Sequence, residues 1–216
     1  MILAIETTGD ICGVALHDGN GVVASCEDSR PRIHDEALSG QIRDVLDRAS
    51  ITIRQLDAIA CSIGPGSFTG IRIGLSFAKG LCHALEIPIV AVPTLDAMAN
   101  NFRSLAHDCH AETIVAGIKA EGKKWYCGVY DANGSPRQVP VTKLQGDTLS
   151  GIDQVVVIGA EGLYFTVEGR VLATEQTLPR PQFAAEYGSV LFARGILSAP
   201  AEVEPLYVTT VVHATL

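Results

Sequence analysis

The sequence lacks an uninterrupted hydrophobic run long enough to cross a membrane. Its most apolar long stretch, residues 71–92, contains Arg72, Lys79, His83 and Glu86. Ionisable groups of this kind are unfavourable inside a bilayer. The first residues, MILAIETTGD, have no basic segment before their apolar run, so they do not resemble a secretory signal. We therefore expect a cytoplasmic protein.

Basic residues and paired cysteines are also scarce. The chain has 16 Lys and Arg against 24 Asp and Glu, a formal net charge of -8. This balance argues against a large basic surface for nucleic acid, but a partner could supply the positive charge. The six cysteines show no CxxC spacing, and several lie in apolar runs. We interpret them as reduced and mostly structural.

What the sequence does contain is a repeated order of strands and helices. The first half predicts three antiparallel strands, a helix over 35–49, a strand, a helix over 70–86, another strand and a short helix to about residue 102. The second half predicts a less complete version of this order, with a last helix over 183–197. This mixture indicates an α/β protein with layered sheets and helices. We predict two units, residues 1–104 and 105–216, related by internal duplication.

A glycine-rich turn, GPGSFTG at residues 64–70, leads into the second long helix. A Walker A loop would place a lysine after its last glycine, whereas isoleucine and Arg72 follow Gly70. The GxGxxG pattern fails as well, because Thr69 occupies its third glycine position. The residues favour a tight turn, with Ser67 or Thr69 as the helix cap.

The helix after this turn has a narrow polar stripe and a small residue at every fourth position. The small residues are Gly66, Gly70, Gly74, Ala78 and Cys82. Such spacing allows another backbone to approach closely. We expect the helix to be covered on two sides, by its own sheet and by either a neighbouring helix or a partner chain. A fully internal helix is the alternative.

Two other short motifs could carry chemistry. Ser76 and Lys79 match the SxxK of serine hydrolases that use a lysine base, but no KTG or SDN element accompanies them. His107, Cys109 and His110 could bind a metal, but no second ligand pair has structural-zinc spacing. A solvated polar stripe and a polar linker are the simpler interpretations, and we predict no metal site.

Four segments carry a resemblance to a known family. ILAIETTGDICGVALHDG, IHDEAL, SIGPGSFTGIRIGLSFAKGL and VPTLDAMA, between residues 2 and 99, resemble the TsaB family, also called YeaZ. The resemblance implies the actin-like ATPase fold, also described as ribonuclease H-like, in two subdomains. It also implies a role in making N6-threonylcarbamoyladenosine (t6A) on tRNAs that read ANN codons.

The same resemblance implies a non-catalytic subunit that pairs with a TsaD-type transferase, its paralogue, and with a TsaE-type ATPase. It implies a homodimer when alone, no cofactor of its own, ATP or ADP at a subunit interface, and tRNA contact only through the complex. The pairing surface would include the two predicted helices. The expected interface residues are Leu38, Ile42, Gly66, Phe68, Gly70, Arg72, Gly74, Phe77, Ala78 and Leu81. A bulky residue at Gly70 or Gly74 should then abolish pairing and leave the monomer folded.

Other parts of the chain depart from relatives of this kind. Glu6, Thr7 and Thr8 stand where sugar kinases and actin-like ATPases have an acid followed by glycine near phosphate. Threonine in place of that glycine makes a nucleotide contact there a weak expectation. The alternatives are an independent actin-like nucleotide-binding protein, against which this threonine counts, and a glycoprotease-like hydrolase.

The second half departs further. The family often has Ile-Asp-Ala-Arg-x-x-Glu-Val-Tyr where this chain reads IKAEGKKWY, so Lys119, Glu121 and Lys124 replace family charges. Thr209 stands where the family has an arginine. Any partner contact that uses those charges must be made differently in this chain.

Overall fold

The computed structural model describes residues 1–30, 33–120, 122–138, 140–144, 147–159 and 166–208. They group into two compact units, the first of residues 1–97 and 179–206 and the second of residues 98–178 and the chain from 207 onward. The single boundary expected after residue 104 differs from this grouping. The chain returns at Pro179 to place its last helix on the first sheet.

The described residues contain five α-helices. They are α1 (His34–Arg48), α2 (Phe68–Leu85), α3 (Thr94–Asn101), α4 (Arg103–Asp108) and α5 (Pro181–Ala193). The first two confirm the helices predicted from apolar periodicity. The last begins two residues earlier than expected and ends at Ala193, because Gly195 turns the chain with a φ of 71°. Among the described residues, no helix combines the length and apolarity that a membrane span needs.

The first unit contains a five-stranded mixed sheet of order β3-β2-β1-β4-β5. Its strands are β1 (Ile2–Glu6), β2 (Cys12–His17), β3 (Val22–Asp28), β4 (Ala58–Gly64) and β5 (Ile89–Pro93). β1 and β3 are antiparallel to β2, whereas β4 is parallel to both β1 and β5. The central strand β1 is therefore buried between neighbours on both sides, as its continuous apolar run predicted.

The two faces of this sheet carry side chains of different size. Large residues such as Leu3 and Ile5 belong to the core that α1 and α2 cover. On the other face, Ala15, Ala4 and Ala60 are cross-strand neighbours in one row. α5 packs on this alanine face, and a Cβ on its Gly188 would come within 3.0 Å of the Cβ of Ala60. Small side chains on both surfaces therefore let α5 lie close to the sheet.

The second unit repeats the strand order of the first. Its strands are β6 (Thr113–Lys119), β7 (Lys124–Asp131), β8 (Val141–Leu144), β10 (Val155–Gly159) and β12 (Val171–Gln176), with β9 (Thr148–Leu149) and β11 (Thr166–Val167) pairing separately. The five-stranded sheet has the order β12-β10-β6-β7-β8. β6 and β8 are antiparallel to β7, and β10 is parallel to β6 and β12. This duplicated topology confirms the predicted α/β class with two mixed sheets.

None of the six cysteines, all of which lie in the described part of the chain, forms a disulfide. Burial, with nearby Asp28 and Glu6, raises the pKa of Cys12 to about 12. Burial also raises the pKa of Cys82 to about 11. At Cys61, burial and the Glu6 charge raise the pKa well above its ordinary value. These three thiols are therefore protonated core groups at neutral pH.

We expect alkylation to separate the cysteines by burial. In the native protein at pH 8, iodoacetamide should label the half-buried Cys26 and Cys109 first, because the thiolate is the reacting form. Cys12, Cys61 and Cys82 should react only after denaturation, which peptide mass spectrometry can measure. Rapid native labelling of Cys61 would contradict the buried core described above.

Candidate functional site

The glycine turn and the start of α2 lie directly against the end of β1. A Cβ on Gly66 would overlap the carbonyl oxygen of Thr8, and one on Gly70 would overlap that of Thr7. A Cβ on Gly74 would overlap the hydroxyl oxygen of Thr7. The glycines are therefore needed for close contact between a helix and the chain's own strand.

Short hydrogen bonds hold this contact together. The Thr7 hydroxyl donates to the carbonyl oxygen of Gly70 at 2.8 Å, and the Ser67 amide donates to the carbonyl oxygen of Thr8 at 2.7 Å. The Ser67 hydroxyl caps α2 by accepting from the Gly70 amide at 3.2 Å, as one of the two predicted caps. Gly64, which begins the turn, adopts a φ of 110° that favours glycine.

These contacts correct the expectation for the small-residue stripe. Gly70, Gly74, Ala78 and Cys82 are buried against the first unit's own elements, so they leave no room for a second chain. A bulky side chain at Gly70 would displace β1 before it affected any partner. The sequence pattern correctly indicated a close backbone approach, but the approaching backbone is β1.

Glu6, Thr7 and Thr8 form a closed polar network at the same place. Both the amide and the hydroxyl of Thr8 donate to Oε1 of Glu6, at 2.6 and 2.5 Å. The Ser62 hydroxyl donates to Oε2 at 2.5 Å, and the Thr94 hydroxyl donates to that of Thr8 at 3.2 Å. Glu6 is 2% exposed, so this carboxylate is satisfied inside the fold.

The network does not favour the nucleotide contact that the sequence suggested for Glu6, Thr7 and Thr8. None of the three is more than 2% exposed, and each hydrogen-bonds within the chain. A phosphate could reach them only if these bonds opened. The residues tie the ends of β1 and β4 to the start of α3 instead.

The ten predicted interface residues divide by burial. Leu38 and Ile42 lie in the core beneath α1, together with the buried small residues of α2. Gly66, Phe77 and Leu81 are half-buried, while Arg72 is exposed and Phe68 is 54% exposed. Only these half-buried and exposed residues can contact another molecule while the fold stays intact.

The exposed side of α2 forms an open depression. Phe68, Thr69, Arg72, Ile73, Ser76 and Phe77 line it, and we call it the α2 face. The Arg72 guanidinium lies over the Phe68 ring, 3.9 Å from its centre. Aromatic and arginine side chains are the types most enriched at binding hot spots. This depression is the part of the predicted docking surface that remains accessible.

The other candidate motifs are not assembled into a site among the described residues. Ser76 is exposed and Lys79 half-buried, and no hydrogen bond between them is found in that part of the chain. No group of three or more His, Cys, Asp or Glu side chains there could share a metal ion, and His107, Cys109 and His110 are no exception. Glu121 and Thr209, two of the substituted family positions, lie outside the described residues.

The fold identifies the structural class of the protein, and the comparison with known proteins then identifies its family. Two units with the same mixed-sheet order, flanked by helices, make up the actin-like ATPase fold. A model of the family described as "TsaD: tRNA N6-adenosine threonylcarbamoyltransferase" matches residues 22–169. The chain belongs to this family, and it is similar to proteins named TsaB or YeaZ.

Relatives and solved structures give the extent of the similarity. The TsaB protein of Escherichia coli K12 is 35% identical over 135 residues, which are 62% of this chain and 57% of that protein. The TsaB protein of Haemophilus influenzae is 27% identical over 95% of this chain and 92% of its own length. YeaZ from Pseudomonas aeruginosa has a TM-score of 0.79 at 29% identity, over 96% of this chain and 99% of its own.

A second Pseudomonas aeruginosa structure, described as an uncharacterized protein with similarity to peptidase YEAZ, gives a TM-score of 0.82 at 28% identity. It is matched over 98% of its chain and 96% of this one. The aligned region thus spans little more than half of the Escherichia coli relative but nearly all of both structures.

The glycine contact predicts a large difference between positions on one helix. Gly70→Ala should destabilise the protein by about 3 kcal/mol or more, because the new methyl group meets a backbone carbonyl that cannot move aside. Gly80→Ala is the matched control, since nothing lies within 4 Å of its Cβ position. It should stabilise α2 by about 0.5 to 1 kcal/mol. Urea unfolding measures both, and similar values for the two variants would refute the contact.

The carboxylate network gives a second prediction. Glu6→Gln should lower the free energy of unfolding by about 1 to 3 kcal/mol, because an amide nitrogen would face hydroxyl and amide donors. Asp10→Asn, at an exposed acid close by in sequence, should change it by less than about 0.5 kcal/mol. Thermal unfolding at pH 7 compares the pair, and an unchanged midpoint for Glu6→Gln would argue against a buried network.

Proposed function

We propose that this chain is a non-catalytic partner subunit required for t6A modification of tRNAs that read ANN codons. In this role it binds and activates a TsaD-type transferase. The names of its relatives, tRNA threonylcarbamoyladenosine biosynthesis proteins, support the reaction. The observation that carries the partner role is the α2 face, a largely apolar surface with an exposed aromatic residue on the outward side of α2.

The chemistry of the α2 face suits a protein partner. Phe68, Ile73 and Phe77 offer apolar area, and fully burying a side chain of the size of phenylalanine contributes about 1.5 to 3 kcal/mol. Arg72 brings a guanidinium that can pair with a partner's carboxylate or aromatic ring. α2 is fixed to β1 by backbone contacts, so this surface is rigid and loses little entropy on binding.

The wider assembly follows from the same proposal. In the absence of the transferase, the α2 face pairs with a second copy of the chain as a homodimer. A TsaE-type ATPase joins the complex, which works in the cytoplasm.

ATP or ADP binds at a subunit boundary of the complex, and the isolated chain binds neither. Support for this last point comes from Glu6 and Thr8, whose oxygens are engaged in internal hydrogen bonds. Calorimetry of the chain and of the complex with ATP tests it.

One substitution pair tests the partner role directly. Phe68→Asp should weaken binding to a TsaD-type transferase by at least about 10-fold, because burying an unpaired carboxylate opposes association. Ile196→Asp is the matched control, since Ile196 is 53% exposed in the same unit but lies outside the α2 face. It should leave the affinity within about 2-fold. Isothermal calorimetry with the purified transferase measures both.

Reconstitution then links pairing to activity. With transferase, TsaE-type ATPase, threonylcarbamoyl-adenylate and tRNA, t6A should form with the wild-type chain and the Ile196→Asp variant, and far more slowly with Phe68→Asp. Full t6A formation without this chain would overturn the proposed function. Equal loss of binding in both variants would place the docking surface elsewhere.

A further inference from the structure

Lysines are concentrated at one end of the second unit's sheet. The chain has five lysines, and four of them are Lys119, Lys123, Lys124 and Lys143. β6 ends at Lys119 and β7 begins at Lys124, so Lys123 lies in the turn between them. In register, Lys119 pairs with Trp125, and Trp125 pairs with Lys143 on β8. The strand pairing thus gathers positions that are 24 residues apart in sequence.

Lys119, Lys123 and Lys124, which we call the lysine hairpin, are all exposed. None of them forms a salt bridge with another described residue. Two arginines of the same chain behave differently. Arg30 pairs with Asp28, and Arg180 pairs with Glu27. The lysine hairpin is therefore a positive region without a direct ion-pair partner among the described residues.

Along β7 itself, the acid lies far from this region. The nearest acid further along β7 is Asp131, seven residues from Lys124. Seven residues of strand span about 23 Å. That distance is more than twice the Debye length of about 10 Å in 0.1 M salt. Glu121, in the turn, lies outside the described residues, and by sequence it is one acid against three lysines.

We propose that the lysine hairpin binds the phosphate backbone of an RNA. The RNA is identified through the proposed function, in which it is the tRNA that the complex modifies. The hairpin thus gives this chain a direct contact to tRNA, in addition to any contact made by the transferase. Lysine ammonium groups on flexible stems suit phosphates as point charges and need no fixed geometry.

The composition of the hairpin favours RNA over an acidic protein surface. Protein interfaces have a desolvated core with large apolar side chains. Among the described residues of β6, β7 and the turn between them, no large hydrophobic side chain is prominently exposed, and Trp125 is 5% exposed. Phosphate binding needs only accessible positive charge, because its free energy comes largely from counterion release.

Counterion release sets the size of the expected effect. Three phosphate contacts correspond to a slope of about -2 to -3 in log affinity against log salt. Raising the salt from about 50 to 200 mM should then weaken binding by roughly 20- to 40-fold. A contribution of this size is measurable even when the transferase supplies further contacts.

The test compares two charge-matched triple variants of the full chain. In the first, Lys119, Lys123 and Lys124 are replaced by alanine. In the second, the exposed Arg54, Arg170 and Arg194 are replaced by alanine, which removes the same charge elsewhere. Fluorescence anisotropy with an unmodified tRNA transcript measures affinity from 50 to 200 mM salt, and circular dichroism confirms folding.

We expect the wild type and the arginine variant to keep a slope near -2 to -3. The lysine variant should lose most of that slope and bind tRNA at least about 10-fold more weakly at 50 mM salt. Equal losses in both variants, an unchanged slope in the lysine variant, or a wild type without salt-dependent binding would each overturn the proposal.

Transferase affinity, measured without RNA, separates this inference from the proposed function. If the wild type pairs with the transferase and the lysine variant keeps the wild-type salt slope for tRNA, the RNA-binding role of the lysine hairpin is refuted and the proposed function stands. If the wild type does not pair with the transferase but the salt slopes for tRNA are as expected, the proposed function alone is refuted. If the lysine variant pairs less well with the transferase but keeps its RNA slope, the hairpin contacts a protein and the inference is wrong.

Discussion

The contact between the end of β1 and the start of α2 is the constraint on which the rest of the site depends. Gly66, Gly70 and Gly74 let the two backbones meet there, because the turn and the helix bring no side chain of their own into the contact. The hydroxyl of Thr7 bonds the carbonyl of Gly70, and the carbonyl of Thr8 accepts from Ser67. Hydrogen bonds between such closely placed groups fix the rotation of α2 about its own axis. That rotation decides which side chains face the core and which face outward.

One side of α2 thereby packs on the sheet, and the other side forms the α2 face. Residues spaced by four lie on one side of a helix, and Gly70, Gly74 and Ala78 use this spacing to face the sheet. Phe68 and Arg72 are also four apart, but they lie two positions away from the glycines and emerge on the other side. A change of rotation would bury the aromatic ring and expose the glycines. The apolar α2 face therefore faces outward because the opposite side carries only glycines and small side chains.

The sequence predicted most of the fold because its signals were local. Continuous apolar runs located the buried strands, and apolar periodicity located α1 and α2. Spacing of small residues correctly indicated a close backbone approach at Gly70, but a steric pattern cannot say which backbone approaches. The return of α5 to the first sheet was missed, since it depends on alanines such as Ala4 and Ala60 that are distant in sequence from Gly188.

The candidate site was less predictable, because its decisive facts are pairings and exposures. Ser62 is 56 residues from Glu6, so no local pattern announces their hydrogen bond. Phe68 was expected at the interface from the family resemblance, but its exposure follows only from the fixed rotation of α2. Likewise, the lysines of the lysine hairpin can be read from the sequence, but the absence of ion pairs between them and the described acids follows only from the fold.

The Glu6 network shows how this fold can lose one use and support another. A buried carboxylate needs donors, and here Thr8 and Ser62 supply them to both of its oxygens. Oxygens that are satisfied in this way offer little to a phosphate or a metal, so the acid serves the fold. The same network joins Thr8 to Thr94 and thereby fixes the strand end against which α2 rests. In this chain the Glu6 network therefore supports the strand end that sets the orientation of the α2 face.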